Sequence, residues 1–261
     1  MLHLKKNTKR FVVVGDIHGL LDSFVAILRH AGLVDNHLNW CGGQHRLLQM
    51  GDVFDRGPQS KEVDALLDTL QEQALKAGGE VIRLVGNHEL EMLLSNFSIS
   101  ALERESAQAT RDKLTNQVLQ GALRAAYAYK GFLFTHAGVT RKLYRIFKLQ
   151  LEDASAYNLA TLINLIFRES IRHQFFKHPI FNISISRMGT DHFGGIFWED
   201  LLDLCASFPR SPVWQVVGHT QVEQITIDKR AQLIAVDVGL HRRKQYLEID
   251  TDGTPSVREV K

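Results

Sequence analysis

Cysteine is nearly absent from this chain. Its two thiols, Cys41 and Cys205, lie far apart in 261 residues and neither has a C-x-x-C partner. That excludes a disulfide framework and a thiolate zinc site, and buried free thiols are expected. Long apolar runs are absent too. No segment approaches the length of a membrane-spanning helix. The basic start "MLHLKKNTKR" leads into an apolar stretch of only Phe11 to Val14, too short for a signal-peptide core. The cytoplasm is therefore the expected compartment, with no membrane partner, although export by a route needing no signal peptide is not excluded. Charge of one sign is lacking: 31 Lys and Arg face 29 Asp and Glu. No global field attracts nucleic acid or anionic lipid, so any charged partner must be recognised locally. There is no internal repeat, Pro-rich linker or low-complexity segment, which predicts one domain over residues 1–261.

What is present is a 44% hydrophobic composition, enough for a sizeable core, and one recurring pattern. "FVVV-GDIHG" (Phe11 to Gly19), "RLLQM-GDVFDRG" (Arg46 to Gly57), "VIRLV-GNHE" (Val81 to Glu89), "GFLF-THAG" (Gly131 to Gly138) and "VWQVV-GHT" (Val213 to Thr220) each run from a β-type apolar stretch into acidic or metal-capable residues. Helical periodicity separates the early strands over Leu20 to Arg29 and Ser60 to Ala77, with a further start at Leu90. Strand–helix alternation predicts an α/β fold whose parallel strands carry all five polar clusters to one edge of a sheet. Two stretches break the alternation: about 100–128 and 140–176 read as helical insertions covering the site edge. The last third reads as short strands, Val213 to Val217, Gln224 to Asp228, Gln232 to Val236 and Gln245 to Asp250, spaced for antiparallel pairing.

The strand ends collect Asp16, His18, Asp52, Asn87, His136 and His219. Carboxylate, amide oxygen and imidazole together suit borderline divalent ions such as Mn²⁺, Fe or Zn²⁺, with Mn²⁺ expected over Mg²⁺ because imidazole favours it. Six ligands are too many for one ion that keeps open positions. They suit two ions roughly 3.5–4 Å apart, with Asp52 as the bridging carboxylate and a shared hydroxide placed for in-line attack on phosphorus. Asp55 and Arg56 follow Asp52 on one tight loop, so the guanidinium can take phosphate oxygens bidentately. His88 stands beside Asn87, within reach of a phosphoester oxygen, where a carboxylate partner keeps it protonated as a general acid. Glu89 is expected to support the ligands rather than to react. "HRRK" (His241 to Lys244) is a candidate for the site mouth.

In this order, "GDIHG", "GDVFDRG", "GNHE", "HAG" and "GHT" resemble the metallophosphoesterases of the phosphoprotein phosphatase family. The stretch Leu33 to Leu93, with "GHT" and "VDVG" (Val236 to Gly239), is similar in detail to the bacterial-type Shewanella-like phosphatases. The resemblance implies a four-layer α/β/β/α calcineurin-like sandwich. It implies Asp16, His18 and Asp52 on one ion, and Asp52, Asn87, His136 and His219 on the other. It also implies that Arg56 grips phosphate and that His88, oriented by Asp55, protonates the leaving alcohol. The expected activity is hydrolysis of phosphomonoesters, foremost on a phosphorylated protein or peptide, whether at Ser/Thr or Tyr. The alternatives are a diadenosine-polyphosphate-type nucleotide hydrolase, which shares "GD-x-HG", "GNH" and "GHT", and a catalytically silent binding module. The oligomeric state is left open.

One departure stands out. Where Shewanella-like relatives carry "GPLWYRG" with a phosphate-contacting arginine, this chain reads "GGIFWEDL" (Gly194 to Leu201), with Glu199 and Asp200. A phosphoryl group develops charge on three equatorial oxygens, so a second cation beside Arg56 is expected. Arg210 lies just before the strand Val213 to Val217 and so at the end of the sheet away from the site. Arg187, in the loop "SRMGTDHFGG" leading into Trp198, can reach the site edge and is the expected replacement.

Overall fold

Phe11–Val14 forms the first strand, β1, and all four side chains are buried. An apolar residue at every position, rather than at alternate ones, marks a strand covered on both faces. The computed structural model, which describes residues 9–96 and 104–261, shows what covers it. β2 (Arg46–Gln49) runs parallel beside β1, then β3 (Glu80–Leu84) beside β2 and the short β4 (Leu123–Arg124) beside β3. On the other side of β1, β10 (Gln245–Ile249) is antiparallel and carries β11 (Pro255–Glu259) at the edge. The crossover helices α1 (Leu21–His30) and α2 (Ser60–Lys76) each bury one stripe, Phe24, Val25, Ile27 and Leu28 on the first and Val63, Leu67, Leu70 and Ala74 on the second.

A second sheet has the order β5 (Ala126–Tyr129), β6 (Phe132–Thr135), β7 (Trp214–Val217), β9 (Leu233–Ala235), β8 (Thr226–Asp228). Its three inner strands are parallel and its two edges antiparallel. The sheets face each other through aromatic rings: Phe11 of β1 stacks on Tyr129 of β5 with centroids 4.5 Å apart and also meets Tyr127 and Phe134. Of the later helices, α3 (Asn87–Leu93) starts at the end of β3, and α4 (Arg104–Gln120) packs against it. α5 (Arg141–Lys148) follows β6, and α6 (Ala156–His173) lies across β5 and β6. α7 (Leu201–Ser207) precedes β7. The architecture is the expected α/β class with helices flanking two sheets. Near the carboxyl end of β3, Arg83 is 1% exposed and bonds Asp64 at 2.5 Å and Asp68 at 2.6 Å, with Lys113 of α4 on the same two carboxylates. That network ties α2 and α4 to the strand that delivers Asn87.

Some expectations need correcting. The polar clusters belong to two sheets, not one. The stretch 100–128 is helical only over α4; residues 100–103 lie outside the described ones, and 123–129 are strands, because the alternating Tyr127 and Tyr129 present a β face to Phe11. The stretch 140–176 is helical as expected, over α5 and α6, where Ser155 caps α6 by accepting from Asn158 N and so restarts the helix after Leu149. In the last third, β7 and β9 are parallel and β10 has crossed to the first sheet, so only part of that region pairs antiparallel. Cys41 and Cys205 are free, as expected, but exposed rather than buried.

Candidate active site

The carboxyl ends of β1, β2, β3, β6 and β7 meet at one rim where the two sheets adjoin. The turns leaving them are sharp. His18, Asp52, Asp55, Arg56 and His219 all have left-handed backbone, with φ of 49°, 56°, 66°, 65° and 64°. For residues other than glycine each such conformation costs roughly 1–3 kcal/mol, so surrounding bonds must hold it. The Ile17 and His18 amides both donate to Asp52 O at 3.0 and 2.8 Å, and Gly57 N donates to His18 O at 2.8 Å. Gly86 is required by close approach: a Cβ there would enter the space of the Asp52 carboxylate.

The structure brings Asp16, His18, Asp52, Asn87, His136 and His219 together, and all but the half-buried His219 are buried. The Nδ1 atoms of His18 and His136 lie 2.9 Å from the carbonyls of Phe54 and Met50. A carbonyl only accepts, so each Nδ1 carries a proton, and in the neutral tautomer each Nε2 is left with its lone pair facing inward. Both Nε2 atoms stand 3.6 Å from the same oxygen, Asp52 Oδ2. On the far side, Asn87 Oδ1 is 3.0 Å from His136 Nε2 and 2.8 Å from His219 Nδ1. His18 Nε2 and His219 Nε2 are buried with no hydrogen-bond partner. Two clusters with ligand atoms within 4.8 Å of one another result, His18–Asp52–His88 and Asp52–His136–His219, and Asp52 belongs to both. Asp16 is in neither; its carboxylate accepts from His219 N at 3.2 Å and faces Asp237.

The electrostatics fit a cation site. Burial alone would raise the Asp52 pKa, but the surrounding imidazoles of His136, His88, His18 and His219 outweigh it and hold the carboxyl below its ordinary range. Burial pushes His18 down to about 4, and it pushes His219 down as well, helped by His136. Burial, with Asp237 and Asp52 nearby, pushes Asp16 up. Neutral imidazoles and crowded carboxylates, with inward lone pairs left unpartnered, are what a pair of divalent ions would satisfy. Beside them His88 Nδ1 is 2.7 Å from Asp55 Oδ2, and this bond, with Asp52, overcomes burial and raises the His88 pKa. Its Nε2 is 4.0 Å from Asp52 Oδ2. Arg56 is exposed and lines, with Asp16, His18 and His241, a cavity of about 250 Å³.

Residues 9–223 match the calcineurin-like phosphoesterase family. The chain belongs to that family. Shewanella-like protein phosphatase 1 of Plasmodium berghei is 41% identical over 95% of this chain and 68% of its own length. Shewanella-like protein phosphatase 2 of Arabidopsis thaliana is 36% identical over 34% of this chain, a match spanning 23% of that protein. The symmetrical bis(5'-nucleosyl)-tetraphosphatase of Cronobacter sakazakii is 30% identical over 49% of the chain and 42% of its own length. Among solved structures, a cold-active protein tyrosine phosphatase superposes with a TM-score of 0.65 over 95% of this chain and 78% of its own at 21% identity, a likeness of fold.

In this phosphoesterase the altered tryptophan motif packs on the last ligand loop: the Trp198 ring meets His219 edge-on at 5.8 Å. Asp200 Oδ2 holds Arg187 Nη2 at 2.9 Å, and the same nitrogen bonds Thr220 Oγ1, next to His219. Arg187 thus lies at the site rim, with its Nε buried and unpartnered, whereas Arg210 lines a separate cavity. Of "HRRK", only His241 lines the site cavity; Arg243 pairs with Glu259 at 3.5 Å. Asp237 escaped sequence reasoning, and Glu89 takes the supporting role expected of it. Asp237, buried and bonded to Asp16, ends β9 in "LIAVDVG", the same apolar-run-into-acid pattern as the other strands. Glu89, 1% exposed, accepts from Asp52 N and Gly86 N at 2.8 Å through one oxygen and from Val53 N at 2.8 Å through the other. It fastens the Asp52 loop to the Asn87 loop. Glu89→Gln turns an amide toward these donors, and should lower stability in urea titrations by about 2–4 kcal/mol, the scale of buried donors losing a charged acceptor. An unchanged unfolding midpoint would show that the loops do not depend on it.

Proposed function

We propose that this phosphoesterase is a protein phosphatase working through two divalent ions, Mn²⁺ foremost, held by Asp16, His18 and Asp52 on one side and by Asp52, Asn87, His136 and His219 on the other. The observation that carries the reading is Asp52 Oδ2, equally 3.6 Å from His18 Nε2 and His136 Nε2 and therefore turned toward both clusters. Such ions, when bound, supply Lewis-acid neutralisation of phosphoryl oxygens and an activated water.

The chain's own residues do the rest. Arg56, exposed at the cavity edge, clamps phosphate oxygens; Arg187, steadied by Asp200 and Thr220, supplies a second positive charge where the "GPLWYRG" arginine is missing. His88, with Nδ1 fixed by Asp55, presents Nε2 to the leaving oxygen and gives up its proton as the P–O bond breaks and water's oxygen joins phosphorus. The 41% identity to a Shewanella-like protein phosphatase along nearly the whole chain supports phosphoproteins as substrates. The identity to a dinucleoside tetraphosphatase supports a second reading, a nucleotide hydrolase. The intact His88–Asp55 pair and Arg56 argue against a silent module.

His88→Asn should lower turnover of a phosphoserine peptide by about 10²–10⁴-fold, the usual worth of general acid catalysis, and turnover of an aryl phosphate much less, since a phenolate leaves without a proton. Equal losses on both esters would give His88 another role. Arg187→Ala should lower kcat/KM by about 10–100-fold, equivalent to ~1.5–3 kcal/mol for a charged hydrogen bond, with metal content and Tm nearly unchanged. Wild-type kinetics in that variant would remove Arg187 from the substrate site.

A further inference from the structure

Away from the catalytic rim, Arg141, Tyr144, Arg145 and Lys148 of α5, together with Phe208 and Arg210, line a cavity of about 700 Å³. The spacing i, i+3, i+4, i+7 puts the α5 residues on one face, while Leu143 and Phe147 bury the other. Arg210 joins them from the loop before β7. Arg141, Arg145, Lys148 and Arg210 are exposed, and among the described residues none forms an ion pair. Arg210 is steadied by Gln232, whose amide oxygen lies 3.2 Å from Nη2 once the amide is turned to satisfy both its atoms.

Local structure accounts for only part of this grouping. Arg145 and Lys148 stand in the last turn, where the helix dipole favours a cation, but Arg141 stands in the first turn, where it does not, like charges at i, i+4 repel, and Arg210 comes from another segment. A chain of net charge +2 has thus gathered four exposed cations around one cavity, more than the helix itself calls for. Tyr144 and Phe208, edge to face at 6.0 Å, form an apolar wall.

We propose that this cavity is an exosite for an acidic segment of the phosphoprotein substrate, an inference that rests on the protein phosphatase reading above. Carboxylates would pair with the four cations while the segment's backbone lies along the Tyr144–Phe208 wall. The cavity is at the amino end of β7 and His219 at its carboxyl end, a separation on the order of 20 Å along the strand direction. An extended chain covers roughly 3.3–3.6 Å per residue. The acidic segment therefore lies about six residues or more from the phosphorylated one.

The test compares phosphoserine peptides carrying a run of glutamates about eight residues away, directly adjacent, or nowhere, with p-nitrophenyl phosphate as a substrate too small to reach the cavity. For the wild-type protein with its metals, kcat/KM should favour the distant-glutamate peptide by roughly tenfold, the sum of several exposed ion pairs. The advantage should vanish near 1 M salt, where the Debye length is about 3 Å. Arg145→Glu/Arg210→Glu should abolish it through KM and leave p-nitrophenyl phosphate turnover unchanged. If the reversal fails to fold, Arg145→Gln/Arg210→Gln should reduce the advantage in the same direction. No preference in the wild type, the same preference in the variants, or preference for adjacent glutamates overturns the exosite. So does single-stranded RNA or a phosphatidylserine vesicle displacing the peptide from the cavity at lower concentration than a polyglutamate peptide does. Absence of phosphopeptide turnover with p-nitrophenyl phosphate still hydrolysed would instead remove the protein phosphatase reading.

Discussion

A single buried carboxylate organises the rim of this molecule. Asp52 is 1% exposed, in left-handed backbone, and kept ionised by the imidazoles around it. Its Oδ1 accepts the His88 amide at 3.0 Å, its Oδ2 faces His18 and His136, and its own amide is held by Glu89. Gly86 leaves it room. On its far side His136 Nε2 and His219 Nδ1 stand within hydrogen-bond distance of each other, 3.2 Å apart.

Why this carboxylate can meet donors from so many parts of the chain is a matter of topology. Parallel strands send their carboxyl ends one way, and stacking two such sheets through Phe11, Tyr127 and Tyr129 aligns two sets of ends. The first sheet supplies Asp16, His18, Asp52 and Asn87, and the second His136 and His219. The same arrangement leaves the amino ends of the second sheet remote, where the α5 cavity gathers Arg210 and the cations of the helix. On the proposals made above, recognition and hydrolysis would fall at opposite ends of one set of strands.

Much of this was legible in the sequence, because each strand of the rim is an apolar run ending abruptly in glycine and ligand-type residues. That abruptness marks a strand end whatever the tertiary context. Less legible was whatever depended on pairing partners. The run Ala126 to Tyr129 carries no helix breaker, so its strand nature becomes visible only beside Phe11. The division into two sheets follows from β4 and β5 being separated by a single residue, Ala125, which no periodicity reveals. Glu89 reads as a support of the ligands, but which loop amides its oxygens meet, those of Asp52, Val53, Phe54 and Gly86, is not carried by its spacing. Asp237 shows the recurring pattern but stands at the end of a three-residue strand in a region expected to pair antiparallel. Arg187 is legible from its loop position alone, and the structure adds what the sequence does not carry: Asp200, one of the two acids in the altered motif, is the group that holds it.

The central claim, one carboxylate shared by two ions, is tested most directly by metal content. The wild-type protein and Asp52→Asn, each loaded with Mn²⁺ and passed through a desalting column, are compared by elemental analysis, with circular dichroism confirming that both are folded. The account predicts two ions per wild-type chain and loss of both from the variant, because the shared ligand is common to both sites. A variant that keeps two ions, or loses one while the other binds as tightly as before, would contradict it.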